Sequence, residues 1–245
     1  MKTTSRFTDD TIKTVVVFGD WHEDSDFSVR QLVKTGRTVN PDAYLHVGDF
    51  GAWDGTTFLD DVNDVLVSQD KELWFVDGNH EDFRIINNLP TDSRGLGVLR
   101  SNIFHIPRGF SWSWGGKVLM GFGGATSTDQ ARREPGVTWF SDEKITDTDL
   151  ARALGAGHVD VLITHDTARV PSRGLGRLPV EIEEAAEENR KKIGEVISRN
   201  SVSLNIHGHH HKPYVGDFIG CQIIGLGCNE GTLSNNMIEV FLPHM

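Results

Sequence analysis

Seven polar side chains in this sequence are of the kinds that bind metal ions, and each follows an apolar run. They are Asp20, His22, Asp49, Asn79, His165, His209 and His211, which together make seven candidates. Carboxylate, amide and imidazole groups form a mixed oxygen and nitrogen ligand set that suits Mn, Fe, Zn or similar divalent ions. A single catalytic ion with an open position uses fewer protein ligands than this. The sequence therefore predicts a centre that holds two metal ions.

The spacing of these residues also has a physical interpretation. Side chains two residues apart point to the same side of an extended backbone, so Asp20 could act with His22, and His209 with His211. A glycine precedes several of the candidates, as expected where a chain turns tightly and its backbone approaches an ion or a phosphate. The candidates that follow a glycine are Asp20, Asp49, Asn79 and His209.

The elements that must position these side chains can be predicted from hydrophobic periodicity. Helical periodicity appears at 58–66 and at 182–197, between apolar runs bounded by turn residues, so strands and helices alternate and the class is α/β. In such folds the loops at the carboxyl ends of parallel strands converge on one crevice. Shorter strands near the C-terminus favour a second, antiparallel-leaning sheet. The predicted strands are 14–18, 43–47, 73–76, 118–122, 159–163 and 202–206, followed by 214–218, 222–224 and 237–241.

Composition restricts the classes of protein further. The chain has 245 residues and is expected to form a single domain, 1–245. Its net charge of −11 argues against an extended basic face for nucleic acid. There is no apolar run of about 18 residues that could span a membrane, and the polar N-terminus predicts a cytoplasmic protein. Two cysteines are too few for a disulfide framework.

The motifs D-x-H, GD, GNH[DE], a lone His and GHxH occur in that order between Asp20 and His211. This arrangement resembles the calcineurin-like metallophosphoesterase superfamily. The resemblance implies a four-layer α/β/β/α sandwich of two mixed sheets flanked by helices. It also implies that Asp49 would bridge two ions and that His80 would be the outer catalytic histidine. The first ion would be held by Asp20, His22 and His211, and the second by Asn79, His165 and His209.

The expected chemistry is hydrolysis of a phosphoester. Two ions about 4 Å apart would lower the pKa of a bridging water, so that a metal-bridging hydroxide attacks phosphorus in line. His80 would donate a proton to the leaving oxygen or hydrogen-bond the phosphate, and Asp166 or Glu81 could orient a histidine. We expect Mn²⁺ at both positions, with Fe, Zn, Ni, Co and Mg as alternatives.

The substrate class is indicated by a departure from the family pattern. Protein phosphatases of this superfamily extend the second motif to GDxxDRG, whereas residues 48–53 are GDFGAW and lack the phosphate-clamping arginine. We therefore expect a phosphodiesterase that acts on small phosphodiesters such as cyclic nucleotides. The alternatives are a phosphomonoesterase or protein phosphatase, a DNA nuclease, and a non-catalytic scaffold with this fold. Scaffold relatives typically lose metal ligands that this chain keeps.

Several further residues leave two interpretations open. A loop at 168–179 is a candidate lid whose arginines could bind phosphate or simply be solvated, and the same alternatives apply to Arg132 and Arg133. His210 could reach a substrate. The segment 123–139 resembles small phage and bacterial members of the superfamily, which would place a phage-encoded protein in the host cytoplasm. The loop arginines are Arg169, Arg173 and Arg177.

Overall fold

The computed structural model describes residues 6–169 and 179–244. Thirteen strands and five α-helices lie in these ranges. The strands are β1 (Thr8–Asp9), β2 (Thr14–Phe18), β3 (Ala43–His46), β4 (Leu73–Phe75), β5 (Gly97–Arg100), β6 (Ile103–His105), β7 (Phe110–Trp114), β8 (Lys117–Phe122), β9 (Val161–Thr164), β10 (Leu204–His207), β11 (Tyr214–Phe218), β12 (Cys221–Gly225) and β13 (Met237–Phe241). The helices are α1 (Ser25–Thr38), α2 (Phe58–Gln69), α3 (Phe83–Ile86), α4 (Asp147–Leu154) and α5 (Val180–Arg199).

The strands form two mixed sheets. In the six-stranded sheet the order is β13-β2-β3-β4-β6-β5, and the four inner strands run parallel. In the seven-stranded sheet the order is β1-β7-β8-β9-β10-β12-β11, with β8, β9, β10 and β12 parallel. Antiparallel strands lie at the edges of both, where β13 pairs with β2 and β11 pairs with β12. Each sheet therefore presents a set of parallel carboxyl ends.

Alternation along the strands divides the apolar core into three parts. Val15 and Val17 of β2 pack in a cluster shared with the other sheet, which contributes Trp112. Val16 and Phe18 point the opposite way and pack with residues of α1 and α2. On the far face of the seven-stranded sheet, β8 and β9 pack against α4 and α5. Because the inner strands bury both faces, the layers stack in the order α/β/β/α, and this expectation is confirmed.

The predicted strands and helices are present, although several of their end residues differ from the prediction. One prediction, on the C-terminal strands, is wrong. All six predicted inner strands are present, and the two predicted helical segments lie in α2 and α5. The C-terminal strands do not form a sheet of their own, however. β11 and β12 extend the seven-stranded sheet, whereas β13 pairs with β2 in the other sheet. β13 fits there because one edge of β2 is otherwise unpaired. No helix in the described ranges is long and apolar enough to cross a membrane.

A buried ion pair ties together three segments near the centre of the fold. Asp77 follows β4 and accepts a hydrogen bond from Arg108 Nε at 2.9 Å. Arg108 lies on the connection from β6 to β7, which passes from one sheet to the other, and it also donates to the carbonyls of Asp142 and Lys144 at 2.8 and 2.6 Å. Although burial raises the pKa of Asp77, Arg108 and His105 hold it well below its ordinary value. The carboxylate is thus charged and fully paired.

Replacing Arg108 should be costly because it leaves that carboxylate buried without a partner. We expect Arg108→Met to lower the free energy of unfolding by about 3–5 kcal/mol, measured by urea denaturation. Arg100→Met is the matched control, because Arg100 binds the exposed Asp60 at the surface, where such pairs contribute about 0–1 kcal/mol. Equal losses in the two variants would contradict the structural role assigned to Arg108.

Candidate metal centre

The seven predicted ligands lie on five loops at the carboxyl ends of parallel strands. The loops after β2, β3 and β4 belong to the six-stranded sheet, and those after β9 and β10 belong to the seven-stranded sheet. The packing of the two sheets brings both sets to one end of the molecule. In chain order the loops carry Asp20 and His22, Asp49, Asn79, His165, and His209 and His211.

One group of ligand atoms surrounds Asp20. The ligand atoms of Asp20, His22, Asp49 and His211 all lie within 4.8 Å of one another. His211 Nε2 is 3.2 Å from Asp20 Oδ2 and 3.1 Å from His22 Nε2. Oδ1 of Asp20 is buried and has no hydrogen-bond partner. Two convergent imidazoles beside an unpartnered buried carboxylate oxygen fit a divalent cation.

A second group adjoins the first through Asp49. His165 Nε2 lies 3.2 Å from Asp49 Oδ1 and 3.1 Å from Asn79 Oδ1. The other ring nitrogen of His165 is 2.9 Å from the carbonyl of Val47, so Nδ1 donates and Nε2 is left as the ligand atom. The ring of His209 lies 5.0 Å from that of His165. The second group therefore contains the residues that the resemblance assigns to the second ion, together with the shared Asp49.

The electrostatics of the centre also fit bound cations. Burial lowers the pKa of His209 to about 3, so its imidazole is neutral, as a ligand must be. Burial likewise opposes charge on His165, but Asp49 and Asp20 outweigh it and raise its pKa to about 10. The hydrogen bond with Asp20 raises the pKa of His211 to about 10. The carboxylates thus favour positive charge in both groups, and a metal ion at each position would replace the proton.

The backbone conformation at several candidate ligands differs from the extended conformation that the sequence predicted. Extended alternation does not explain the spacing, because β2 and β10 end at Phe18 and His207, before the motifs begin. Instead, four ligands adopt the left-handed conformation, which non-glycine residues rarely occupy. Tight turns rather than strands therefore aim these side chains. The four are His22, Asp49, His209 and His211, with φ of 47°, 49°, 63° and 54°.

Two glycines allow the backbone to pass directly beside the carboxylates. A Cβ on Gly208 would collide with Oδ1 of Asp20, and one on Gly78 would collide with Oδ1 of Asp49. This close approach lets a backbone N–H that follows each glycine donate to the carboxylate. His209 N is 2.9 Å from Asp20 Oδ2, and His80 N is 2.8 Å from Asp49 Oδ1. The glycines therefore serve to orient the two acidic ligands.

His80 lies at the rim of this centre. Its ring is 5.1 Å from that of His22, and its carbonyl accepts a hydrogen bond from Trp53 Nε1 at 2.6 Å. Its Nδ1 is contacted by the guanidinium of Arg133. The half-buried side chain is thus placed where it could touch a molecule bound to the metal ions.

The other predicted residues occupy different surroundings. His210 Nε2 is 3.0 Å from Asp166 Oδ1, and its side chain is only 6% exposed, so Asp166 orients His210 rather than one of the seven ligands. Glu81 accepts hydrogen bonds from the backbone N–H groups of residues 50–52 and so supports the loop after Asp49. Arg169 is exposed, while Arg173, Arg177 and most of the loop at 168–179 lie outside the described residues.

Three residues near the centre carried no recognisable sequence motif. Ser127 Oγ donates to Glu143 Oε2 at 2.6 Å and accepts from Asn79 Nδ2 at 3.2 Å. With its amide nitrogen held by Ser127, Asn79 turns Oδ1 towards His165. Cys228 lies close enough to His211 to contribute, after Asp20, to raising the pKa of that histidine. Of the three residues, only Ser127 lies in a segment that the sequence singled out, 123–139. Glu143 and Cys228 reach the centre through long-range contacts, which the sequence pattern does not record.

The fold and the site define a class of α/β/β/α sandwich protein with a candidate metal-binding site at the carboxyl ends of its parallel strands. A family model described as calcineurin-like phosphoesterase matches residues 13–213, and the chain belongs to this family, which is typically dependent on divalent metals. Comparison with curated protein sequences gives no significant match.

Solved structures show the same fold at low sequence identity. The protein TT1561 of Thermus thermophilus is similar with a TM-score of 0.56 and 10% identity, covering 94% of this chain and 99% of that one. GAP50, the anchor in the inner membrane complex of Plasmodium, is similar with a TM-score of 0.50 and 11% identity, covering 94% of this chain and 78% of that one. At these identities the likeness supports the fold alone.

The contact between Ser127 and Asn79 can be tested by metal binding. We expect Ser127→Ala to weaken the binding of one of two Mn²⁺ ions by about 10–100-fold, because Asn79 would lose the acceptor that orients its amide. Isothermal titration calorimetry with Mn²⁺ measures this directly. Ser111→Ala is the control, because Ser111 lies on β7 and accepts a hydrogen bond from Arg6, away from the seven ligands. An unchanged isotherm for Ser127→Ala would rule out the orienting role.

Proposed function

We propose that this protein is a binuclear-metal-dependent phosphodiesterase that hydrolyses small phosphodiesters, with cyclic nucleotides as the leading substrates. The proposal depends chiefly on the position of Asp49 between the two ligand groups. Its Oδ2 is 3.9 Å from His22 Nδ1, and its Oδ1 is 3.2 Å from His165 Nε2. A carboxylate that faces both groups is suited to hold two ions at a short separation.

Each part of the ligand set has a distinct task in this proposal. Two divalent ions, Mn²⁺ by our expectation, would supply an activated water and neutralise charge on the phosphoryl oxygens. Asp20, His22 and His211 hold one ion, while Asn79, His165 and His209 hold the other, and Asp49 is shared. His80, which stands outside both groups, donates a hydrogen bond or a proton to the leaving oxygen.

The scarcity of free cationic groups among the described residues near the centre favours a diester over a monoester as the substrate. The loop after Asp49 has the sequence GDFGAW and contains no arginine. Arg133, which contacts His80, uses its donors on protein atoms. A phosphodiester carries one negative charge where a monoester carries nearly two, so it requires fewer cationic partners. The same reasoning ranks protein phosphatase activity lower, and the net charge of −11 ranks a DNA nuclease lower still.

The reaction class can be tested with two chromogenic substrates. We expect Mn²⁺-supported hydrolysis of bis(p-nitrophenyl) phosphate to exceed that of p-nitrophenyl phosphate, and both to be lost with a chelator. A preference for the monoester would support a phosphomonoesterase instead. No turnover of either, together with no Mn²⁺ bound in calorimetry, would support the scaffold alternative. A diester preference would direct the next assays to 2′,3′- and 3′,5′-cyclic nucleotides.

The shared position of Asp49 makes its replacement especially informative. We expect Asp49→Asn to lower kcat by more than about 100-fold, because even partners one shell beyond metal ligands contribute 10–100-fold. Metal content and activity should fall together, with metal content measured by elemental analysis after dialysis against Mn²⁺. Asp160→Asn is a suitable control, since Asp160 binds Val118 N and Lys117 instead. Full activity in Asp49→Asn would refute the bridging assignment.

A further inference from the structure

The side chain of Arg133 is enclosed although it lies in an exposed loop. It follows the short 3₁₀-helix Gln130–Arg132, and its neighbours Arg132 and Glu134 are exposed. Its own side chain is only 9% exposed. An arginine on a loop is ordinarily solvated, so this burial implies specific contacts.

The guanidinium makes four contacts, and all of them are with protein atoms. Nε donates to Asp129 Oδ2 at 3.1 Å. Nη1 donates to the carbonyl of Asn79 at 2.9 Å and to Ser127 Oγ at 3.3 Å. Nη2 contacts His80 Nδ1. Four of the five N–H groups of the side chain are therefore engaged, which leaves Arg133 poorly suited to clamp a phosphate.

The contact with His80 determines which ring nitrogen carries a proton. A guanidinium has only donors, so the Nδ1 that it contacts must be an acceptor with a free lone pair. A neutral imidazole with Nδ1 as acceptor carries its proton on Nε2. The ring then presents an Nε2–H donor on an edge that Arg133 does not occupy, and the ring centre lies 5.1 Å from that of His22.

The rest of His80 is already fixed by its backbone. Its N–H donates to Asp49 Oδ1 at 2.8 Å, and its carbonyl accepts from Trp53 at 2.6 Å. These bonds place the residue but leave rotation of the ring about its side-chain bonds free. The contact with Arg133 supplies the missing restraint on the ring, and no other side-chain hydrogen bond to the His80 ring occurs among the described residues.

We propose that Arg133 is a positioning residue that acts through His80. It holds the imidazole in the Nε2–H tautomer and in one orientation, so that His80 offers a hydrogen-bond donor to the substrate. The inference rests on the proposed function, because the donor is of use to a phosphoester bound at the metal centre. Arg133 therefore orients His80, the outer histidine, and does not itself contact the phosphate.

The tautomer can be observed without any catalytic assay. In ¹⁵N NMR spectra of the histidine rings, with His80 assigned by its loss in His80→Ala, we expect the wild-type protein to show the Nε2–H tautomer. In Arg133→Met the same resonances should shift to a mixture of tautomers, whereas Arg133→Lys should restore part of the wild-type pattern. Identical spectra for the wild type and Arg133→Met would overturn the proposal.

A kinetic cycle then separates positioning from phosphate binding. We expect Arg133→Met to lower kcat for bis(p-nitrophenyl) phosphate by about 10–100-fold with little change in KM. In the His80→Ala background, Arg133→Met should lower kcat no further, because the imidazole ring that Arg133 orients is already missing. Multiplicative losses or a rise in KM alone would instead show that Arg133 binds phosphate, and would overturn the proposal.

Two controls keep the interpretation specific. Calorimetry with Mn²⁺ should show a much smaller loss of binding in Arg133→Met than in Ser127→Ala, because Ser127 keeps its hydrogen bonds to Asn79 and Glu143 and Arg133 touches the backbone carbonyl of Asn79 and not its amide oxygen. Arg199→Met, at an exposed position on α5, should retain wild-type spectra and kinetics. If the wild type hydrolyses neither substrate, the proposed function fails, while the tautomer measurement still decides whether Arg133 positions His80.

Discussion

The organisation of this protein depends on accommodating two acidic side chains, Asp20 and Asp49, that are almost fully buried at 0% and 1% exposure. A buried carboxylate is tolerated only when hydrogen bonds and positive charge surround it. Backbone N–H groups of His209 and His80 supply hydrogen bonds, and Gly208 and Gly78 give them room to approach. The remaining requirement is positive charge, which protonated histidines or two metal ions can meet.

The two sheets contribute different types of side chain to the candidate metal centre. Loops of the six-stranded sheet supply the acidic and amide oxygens together with His22, whereas loops of the seven-stranded sheet supply three histidines. The complete ligand set exists only when the sheets are packed face to face. Under the proposed ligand assignment, metal binding would be coupled to the packing of the central core, and bound ions would stabilise the association of the two sheets. The buried pair of Asp77 and Arg108 strengthens the same junction from inside.

Much of the fold and of the candidate site could be predicted from the sequence, because both are recorded in local patterns. Apolar runs located the inner strands, and short motifs at their ends contain the candidate ligands that the structure brings together. The turn geometry at His22 and His211 could not be predicted, since no local signal distinguishes a left-handed turn there from an extended strand. The roles of Ser127 and Arg133 depend on contacts across 48 and 53 residues, which periodicity does not register.

The charge of the whole molecule gives the metal ions a further task. The chain carries a net charge of −11, whereas the proposed substrate is an anion. At physiological ionic strength the field of distant carboxylates is screened beyond about 8 Å, so the approach of substrate is governed by charges close to the centre. Arg133 is enclosed by protein contacts, so the two ions of the proposed centre would supply positive charge near His80. In the proposed centre, substrate affinity should therefore follow metal occupancy.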